Sequence, residues 1–504
     1  MGYNYQTNIV CLEWTQYYAY LCMVIIMKKY SRIFLVVIIV LFCEGIFAAT
    51  QSQPELGDPY SEVLPIKQED VIGFSSYRRL QKYNYINNDP LVSSYINYIG
   101  NLLSRNLMDD MRAYRFFIVQ SNDINAFALP GGFIGINVGL IKLTENEAQL
   151  ASVVAHEIAH VKLRHTAEMI ANSNVNSIPM WIGIFAGIFS GNAKASMAAI
   201  QAGIGMSAQK NVNLVRSNEV EADNLGLEIL SNANFKTDEM AKLFKLMEIS
   251  TGDIQKNLSY LSTHPMYENR IANIKSSAKN DNSQIKNSTN DFLYIKNIME
   301  TLTTADINNS IKNIKNKNIF SAHKLSLLYL RKSDYKEAYK TLIPYYKKSP
   351  DNLYITILFA KTLVGLNQVD ESINVLNKLK NIHPLNKTVP LLLSEILIEH
   401  NIKIDYAEKL LQPLESHYIL NPNYYRLMSK LYSKKNSIFK SNIYLSEYYV
   451  LLDNIDLSID VLSNAINSNK TSPLEKRRLD EKKTSIICRY RRPLEPIFGE
   501  KTCN

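Results

Sequence analysis

The chain has 504 residues, more than one ordinary core accommodates, which predicts two domains or more. Apolar residues make up 46% and charged residues 20%, the balance of a folded, soluble protein. The net charge of +9 sits on lysines scattered among Asn, Ile and Tyr, with no Arg-rich stripe and no nucleic-acid module, so it reads as a solvated surface rather than a nucleic-acid footprint.

The N-terminus reads as an address. Met27-Lys28-Lys29-Tyr30-Ser31-Arg32 is a basic region, Ile33 to Phe42 is unbroken apolar sequence, and Ile46-Phe47-Ala48-Ala49 offers small residues for cleavage. This order predicts a signal peptide within residues 1–49, with translation starting at Met27 and cleavage after Ala48 or Ala49. A retained anchor is the weaker reading, because the apolar run falls well short of the roughly 20 residues a span needs. Export leaves Cys488 and Cys503 as candidates for a disulfide.

From Gln68 to Met108 the apolar spacing is helical, with Asn88-Asp89-Pro90 as cap and first-turn proline. Arg115–Val119 and Phe133–Val138 read as strands around the turn Pro130-Gly131-Gly132. Thr144 and Glu147 form a capping-box pattern ahead of a helix running through Leu150, Val153, Val154 and Ile158. Ile178 to Phe189 and the small residues from Ala193 to Ala202 read as a buried helical hairpin, with a flap touching membrane or substrate as the sharper alternative. Helices are expected at Ser217–Leu230 and Phe235–Met247. Residues 276–291 have almost nothing to bury and read as a linker.

Beyond the linker, Leu325, Tyr329, Tyr335, Ala338, Leu342, Tyr345 and Pro350 recur 34 residues later as Phe359, Leu363, Val369, Ser372, Leu376, Leu379 and Pro384. A looser third copy runs from Leu393 to Pro422, and a fourth helical stretch spans Tyr444 to Ile466. These resemble degenerate tetratricopeptide repeats, helix pairs that stack into a concave surface because no single pair buries its own apolar face.

The chemistry concentrates in His156-Glu157-Ile158-Ala159-His160. On a helix, residues four apart share a face, so both imidazoles reach one metal ion. Glu157, turned roughly 100° from His156, lies beside the metal and can activate water. Catalytic zinc takes a third protein ligand, and Glu219 and Asp223, again four apart, share a helical face. One would ligate while the other accepts the free N–H of a ligand histidine; spacing leaves open which. Glu221 points elsewhere and reads as a surface charge. His165 reads as off the metal-facing side. A closed structural zinc site is disfavoured because no cysteine joins the set.

His156-Glu157-Ile158-Ala159-His160, then Glu219-Val220-Glu221-Ala222-Asp223, then Ser262-Thr263-His264-Pro265 with Arg270, resembles the M48 family of zinc metallopeptidases. Asn125 to Gly132 matches the segment that family places beside its cleft. The resemblance implies Glu219 as zinc ligand, Asp223 behind the ligands, and His264 near the metal, blocking its open position or steadying an oxyanion. A solvated Arg270 competes with one paired to a carboxylate of the site.

The expected fold is mainly α with a small β-sheet in the catalytic domain: a zincin-type domain over 50–275, a linker over 276–295, and a helical repeat solenoid over 296–504. The expected activity is a zinc metalloendopeptidase with one Zn2+ per chain. The resemblance implies a periplasmic enzyme acting on misfolded or misassembled envelope polypeptides. It also implies partnership, through the repeats, with the machinery that assembles outer-membrane β-barrel proteins. The alternative is a peptide-binding chaperone or scaffold with a latent zinc site.

Overall fold

The computed structural model describes residues 60, 64–107, 112–171, 208–251, 260, 264–266, 270–278, 289–315 and 318–491. The leader, the apolar stretch 178–189, the small-residue stretch 193–202 and Cys503 lie outside the described residues. From Glu62 onward the chain forms one compact unit. Among the described residues it is mainly α with one small sheet, as the pattern predicts.

Helix α1 (Ile66–Lys82) leads through a two-residue strand β1 (Ile86–Asn87) into α2 (Pro90–Ser104). The expected single helical region is therefore two helices. Asp89 separates them, its side chain accepting from the amides of Leu91 and Val92 ahead of the first-turn proline. Strands β2 (Arg115–Val119), β3 (Ala126–Leu129) and β4 (Phe133–Asn137) join β1 in a sheet of order β1-β2-β4-β3, parallel only between β2 and β4. Strand β3 is not signalled in the sequence, because its short Ala-Phe-Ala-Leu run carries no alternation of polar and apolar residues. The turn from β3 to β4 holds Gly131 and Gly132 at φ of 72° and 76°, the left-handed region glycine enters without strain.

A short helix α3 (Val138–Leu143) precedes α4 (Glu147–Lys162), which carries the histidine motif and is fully buried over most of its length. The expected capping box at Thr144 and Glu147 does not form. Asn146 caps instead, accepting from Gln149 N, while Thr144 Oγ1 donates to Ile141 O and closes α3. Glu147 accepts from Tyr95 Oη and Thr289 Oγ1, so packing outcompeted the local pattern. Then follow α5 (His165–Ala171), α6 (Ala208–Asn232), α7 (Asp238–Thr251) and α8 (Arg270–Ser277).

Helix α9 (Asn290–Leu302) begins inside the stretch expected as linker, with Phe292 and Ile295 fully buried. Helix pairs follow at 319–331 with 335–348, 353–365 with 369–382, 388–399 with 404–411, 422–434 with 438–451, and 455–467 with 473–486. The helical stretch expected from Tyr444 to Ile466 consists of two helices that meet at a turn at Asp453, whose φ is 52°. Ser333, Asn367, Asn401 and Asn436 hold the same left-handed conformation in the preceding turns, and Asn and Asp tolerate it best among non-glycine residues.

The repeats pack back on the part of the chain that carries the histidine motif. Tyr77 Oη donates to Leu420 O at 2.9 Å, Arg78 pairs with Asp453 at 3.2 Å, and Ser94 lies 3.1 Å from Thr388. Between α1 and the later repeats lies a groove of about 1340 Å³, lined by aromatic and charged side chains including Phe74, Arg115, Tyr425, Tyr444 and Tyr490. Cys488, beside that groove, is disulfide-bonded. Among the described residues no helix is long and apolar enough to cross a membrane.

Candidate metal centre

Helices α4 and α6 pack side by side, and Gly226 lets them approach. A Cβ there would stand 3.4 Å from His156 Cα and 3.3 Å from Met240 Cε. This brings the carboxylates of α6 over the imidazoles of α4. The segment before α8 then lays His264 across the same point, with its amide donating to Tyr260 O at 2.7 Å and its ring stacked on Tyr260 at 4.6 Å.

Four donors converge. His160 Nε2 lies 3.0 Å and His264 Nδ1 3.3 Å from His156 Nε2. Glu219 Oε1 lies 3.0 Å from His264 Nδ1 and 3.4 Å from His160 Nε2. All four ligand atoms fall within 4.8 Å of one another. A tetrahedral zinc with Zn–N bonds of about 2.0–2.1 Å spaces its ligand atoms roughly 3.3 Å apart, so this donor set fits that ion. Glu157 is buried beside the cluster, its Oε1 3.4 Å from His264 Nε2.

Around the four lies an ordered shell. His156 turns its other nitrogen, Nδ1, to Asp223 Oδ1 at 3.1 Å. Arg270 donates from Nε and Nη2 to the two oxygens of Asp223, each at 2.8 Å, and its Nη1 lies 2.8 Å from Glu219 Oε2. Arg270 is buried over the Phe244 ring rather than solvated. Of the residues singled out, the structure brings together His156, Glu157, His160, Glu219, Asp223, His264 and Arg270. Glu221 stays largely exposed, as expected.

The sequence reading passed over His165, whose Nδ1 lies 2.8 Å from His160 Nδ1, and Tyr260, stacked on His264. His165 follows Arg164 at a φ of 57°, a break that swings α5 off the axis of α4 and invalidates helical counting. Nothing in the spacing announces Tyr260.

Burial dominates the electrostatics, and the charges arranged against it decide the sign. Burial works to lower the His156 imidazole, but hydrogen bonds to Asp223 and Glu219 outweigh it and hold the group raised, at about 9. His160, with less compensation, is pushed down to about 3 and stays a neutral imidazole. Burial raises the Glu157 carboxyl against the pull of His264 and His156. For Glu219 burial also acts upward, but His264, His156 and His160 together hold it well below the usual carboxylate range. Asp223 is likewise lowered, its hydrogen bonds from His156 and Arg270 exceeding the effect of burial.

Comparison with known proteins agrees with this geometry. Residues 91–278 match the model of peptidase family M48, and residues 311–379 match that of anaphase-promoting complex, cyclosome, subunit 3, a tetratricopeptide-like repeat region. The chain is 28% identical over 446 residues to the beta-barrel assembly-enhancing protease of Escherichia coli (strain K12), covering 85% of this chain and 89% of that one. It is 25% identical over 455 residues to the protein of that name from Yersinia pestis, covering 87% and 92%. The mitochondrial metalloendopeptidase OMA1 of Schizosaccharomyces pombe is 29% identical over 198 residues, 38% of this chain and 56% of that one. The chain is therefore a metalloprotease, with residues 91–278 matching the model of peptidase family M48.

Proposed function

We propose that this chain is an exported zinc metalloendopeptidase that removes misfolded or misassembled envelope polypeptides, with the helical repeats gripping substrates and assembly partners. The observation that carries the reading is the convergence of His156 Nε2, His160 Nε2, Glu219 Oε1 and His264 Nδ1 beside the buried carboxyl of Glu157. His156, His160 and Glu219 would hold one zinc, and His264 the fourth position at rest. Zinc, when bound, supplies Lewis acidity towards the scissile carbonyl and makes an attacking water more acidic.

The chain's own residues do the rest. Glu157 takes the proton from the water and delivers it to the leaving amine, a role its raised pKa suits. Asp223, held by Arg270, keeps His156 aimed and in one tautomer. Strand β3, at the sheet edge, pairs among the described residues only with β4, and its outer backbone suits an extended peptide. His264 must move aside for substrate, which makes it a lock as well as a candidate catalytic group.

Export is supported by the leader pattern of residues 27–49 and by the disulfide at Cys488, since such bonds persist in oxidising compartments such as the periplasm. The beta-barrel assembly-enhancing proteases are named for enhancing β-barrel assembly, and a role beside outer-membrane assembly machinery is part of this proposal. Contact with a membrane surface would then be peripheral.

The test is digestion of unfolded casein by the zinc-loaded chain. Glu157→Gln should keep one zinc and lose roughly 10²–10⁴-fold in turnover. Cleavage by zinc-free protein at the zinc-loaded rate would sink the reading. A chaperone or scaffold role is favoured by the large aromatic groove, which lies apart from the metal cluster. It wins if Glu157→Gln retains full biological function while deletion of the repeats does not.

A further inference from the structure

His156 and His160 each present one ring nitrogen to the cluster and turn the other away. For His156 the outward nitrogen meets a carboxylate, that of Asp223. For His160 it meets another imidazole: the Nδ1 atoms of His160 and His165 are 2.8 Å apart, with the rings 4.9 Å apart at 75°. His165 is buried at the start of α5, and its far nitrogen, Nε2, lies 3.7 Å from Glu221 Oε2. Glu221 in turn accepts from Ser217 Oγ at 3.2 Å.

Two ring nitrogens 2.8 Å apart share one proton; two would collide and none would leave lone pairs facing each other. His160 presents Nε2 to the cluster, so as a neutral ligand it carries its proton on Nδ1 and donates to His165 Nδ1. His165 then carries its own proton on Nε2, facing Glu221. We infer that His165 is the positioning residue of His160, fixing its ring and tautomer through the Nδ1–Nδ1 contact.

This rests on His160 being a zinc ligand. The choice of an imidazole has a physical reason. The centre already buries Glu157, Glu219 and Asp223, and a neutral acceptor aims His160 without adding a further buried negative charge.

The experiment uses the purified full chain and reads zinc affinity by chelator competition and ligand geometry from the visible bands of the cobalt(II) form. His165→Leu should weaken zinc roughly 10–100-fold and alter the cobalt bands. His165→Asn, whose amide oxygen accepts near the Nδ1 position, should stay close to wild type. Wild-type affinity and spectrum in His165→Leu, or an Asn variant as weak as the Leu variant, overturns the inference. Should His165→Leu not fold, histidine ¹⁵N NMR on the zinc-loaded wild type decides. His160 protonated at Nδ1 with His165 protonated at Nε2 supports the inference, and a proton on His165 Nδ1 overturns it. Failure of the underlying reading looks different: the wild type itself would bind no stoichiometric zinc.

Discussion

Asp223 Oδ1 lies 3.1 Å from His156 Nδ1, while Arg270 grips both oxygens of the same carboxylate. The carboxylate is thus pinned from behind and can aim the imidazole. Replacing it separates two effects. Asp223→Asn keeps the shape but weakens the acceptor, and should cost roughly 10–100-fold in zinc affinity by chelator competition. Asp223→Ala also leaves the buried Nε and Nη2 of Arg270 without acceptors, while Nη1 keeps Glu219, and should destabilise the protein by about 1–3 kcal/mol in denaturant melts.

Gly226 sets the distance between the two helices that carry His156, His160 and Glu219. An added Cβ would meet His156 Cα at 3.4 Å and the flexible end of Met240 at 3.3 Å, contacts that a methyl group survives with small shifts. Gly226→Ala should therefore retain zinc, whereas Gly226→Val should cost about 1–3 kcal/mol by overpacking and move Glu219 off its position. Thermal melts and zinc titration of the two variants check this, and equal zinc affinity in both would refute it.

His264 Nδ1 stands 3.3 Å from His156 Nε2 and 3.0 Å from Glu219 Oε1, within the four-donor cluster. Removing it opens that position. His264→Ala should bind zinc less tightly, yet at saturating zinc it should cleave a short fluorogenic peptide with a higher kcat/KM than wild type. A lower kcat/KM at saturating zinc would instead assign His264 to transition-state stabilisation.

His323 gives the repeats a pH dependence. It is 1% exposed, packs edge-on against Tyr294, and burial pushes it from 6.5 down to about 3. Between those values the unfolded chain binds the proton and the folded chain does not, so stability rises with pH there and is lost on acidification. The loss should reach about 2 kcal/mol by pH 5 at 1.36 kcal/mol per pH unit. Denaturant melts at pH 7.5 and pH 5 check it. His323→Phe should show a smaller drop between them than wild type.

What the sequence determined by itself is what lies within a few residues along the chain. The four-residue spacings of His156 with His160 and of Glu219 with Asp223 hold on any helix, and both helices formed. The 34-residue recurrence announced stacked helix pairs, because their apolar faces repeat with the backbone. Local patterns failed where distant groups competed. Thr144 lost the cap of α4 to Asn146 while Glu147 went to Tyr95 and Thr289. Only the tertiary structure could decide contacts between residues far apart in sequence. These include His264 against His156, Arg270 across Glu219 and Asp223, and the return of the repeats onto α1 through Tyr77 and Leu420. Two histidines on a helix are a local fact. Their closure into a four-donor centre depends on how separate helices pack, which no spacing along the chain encodes.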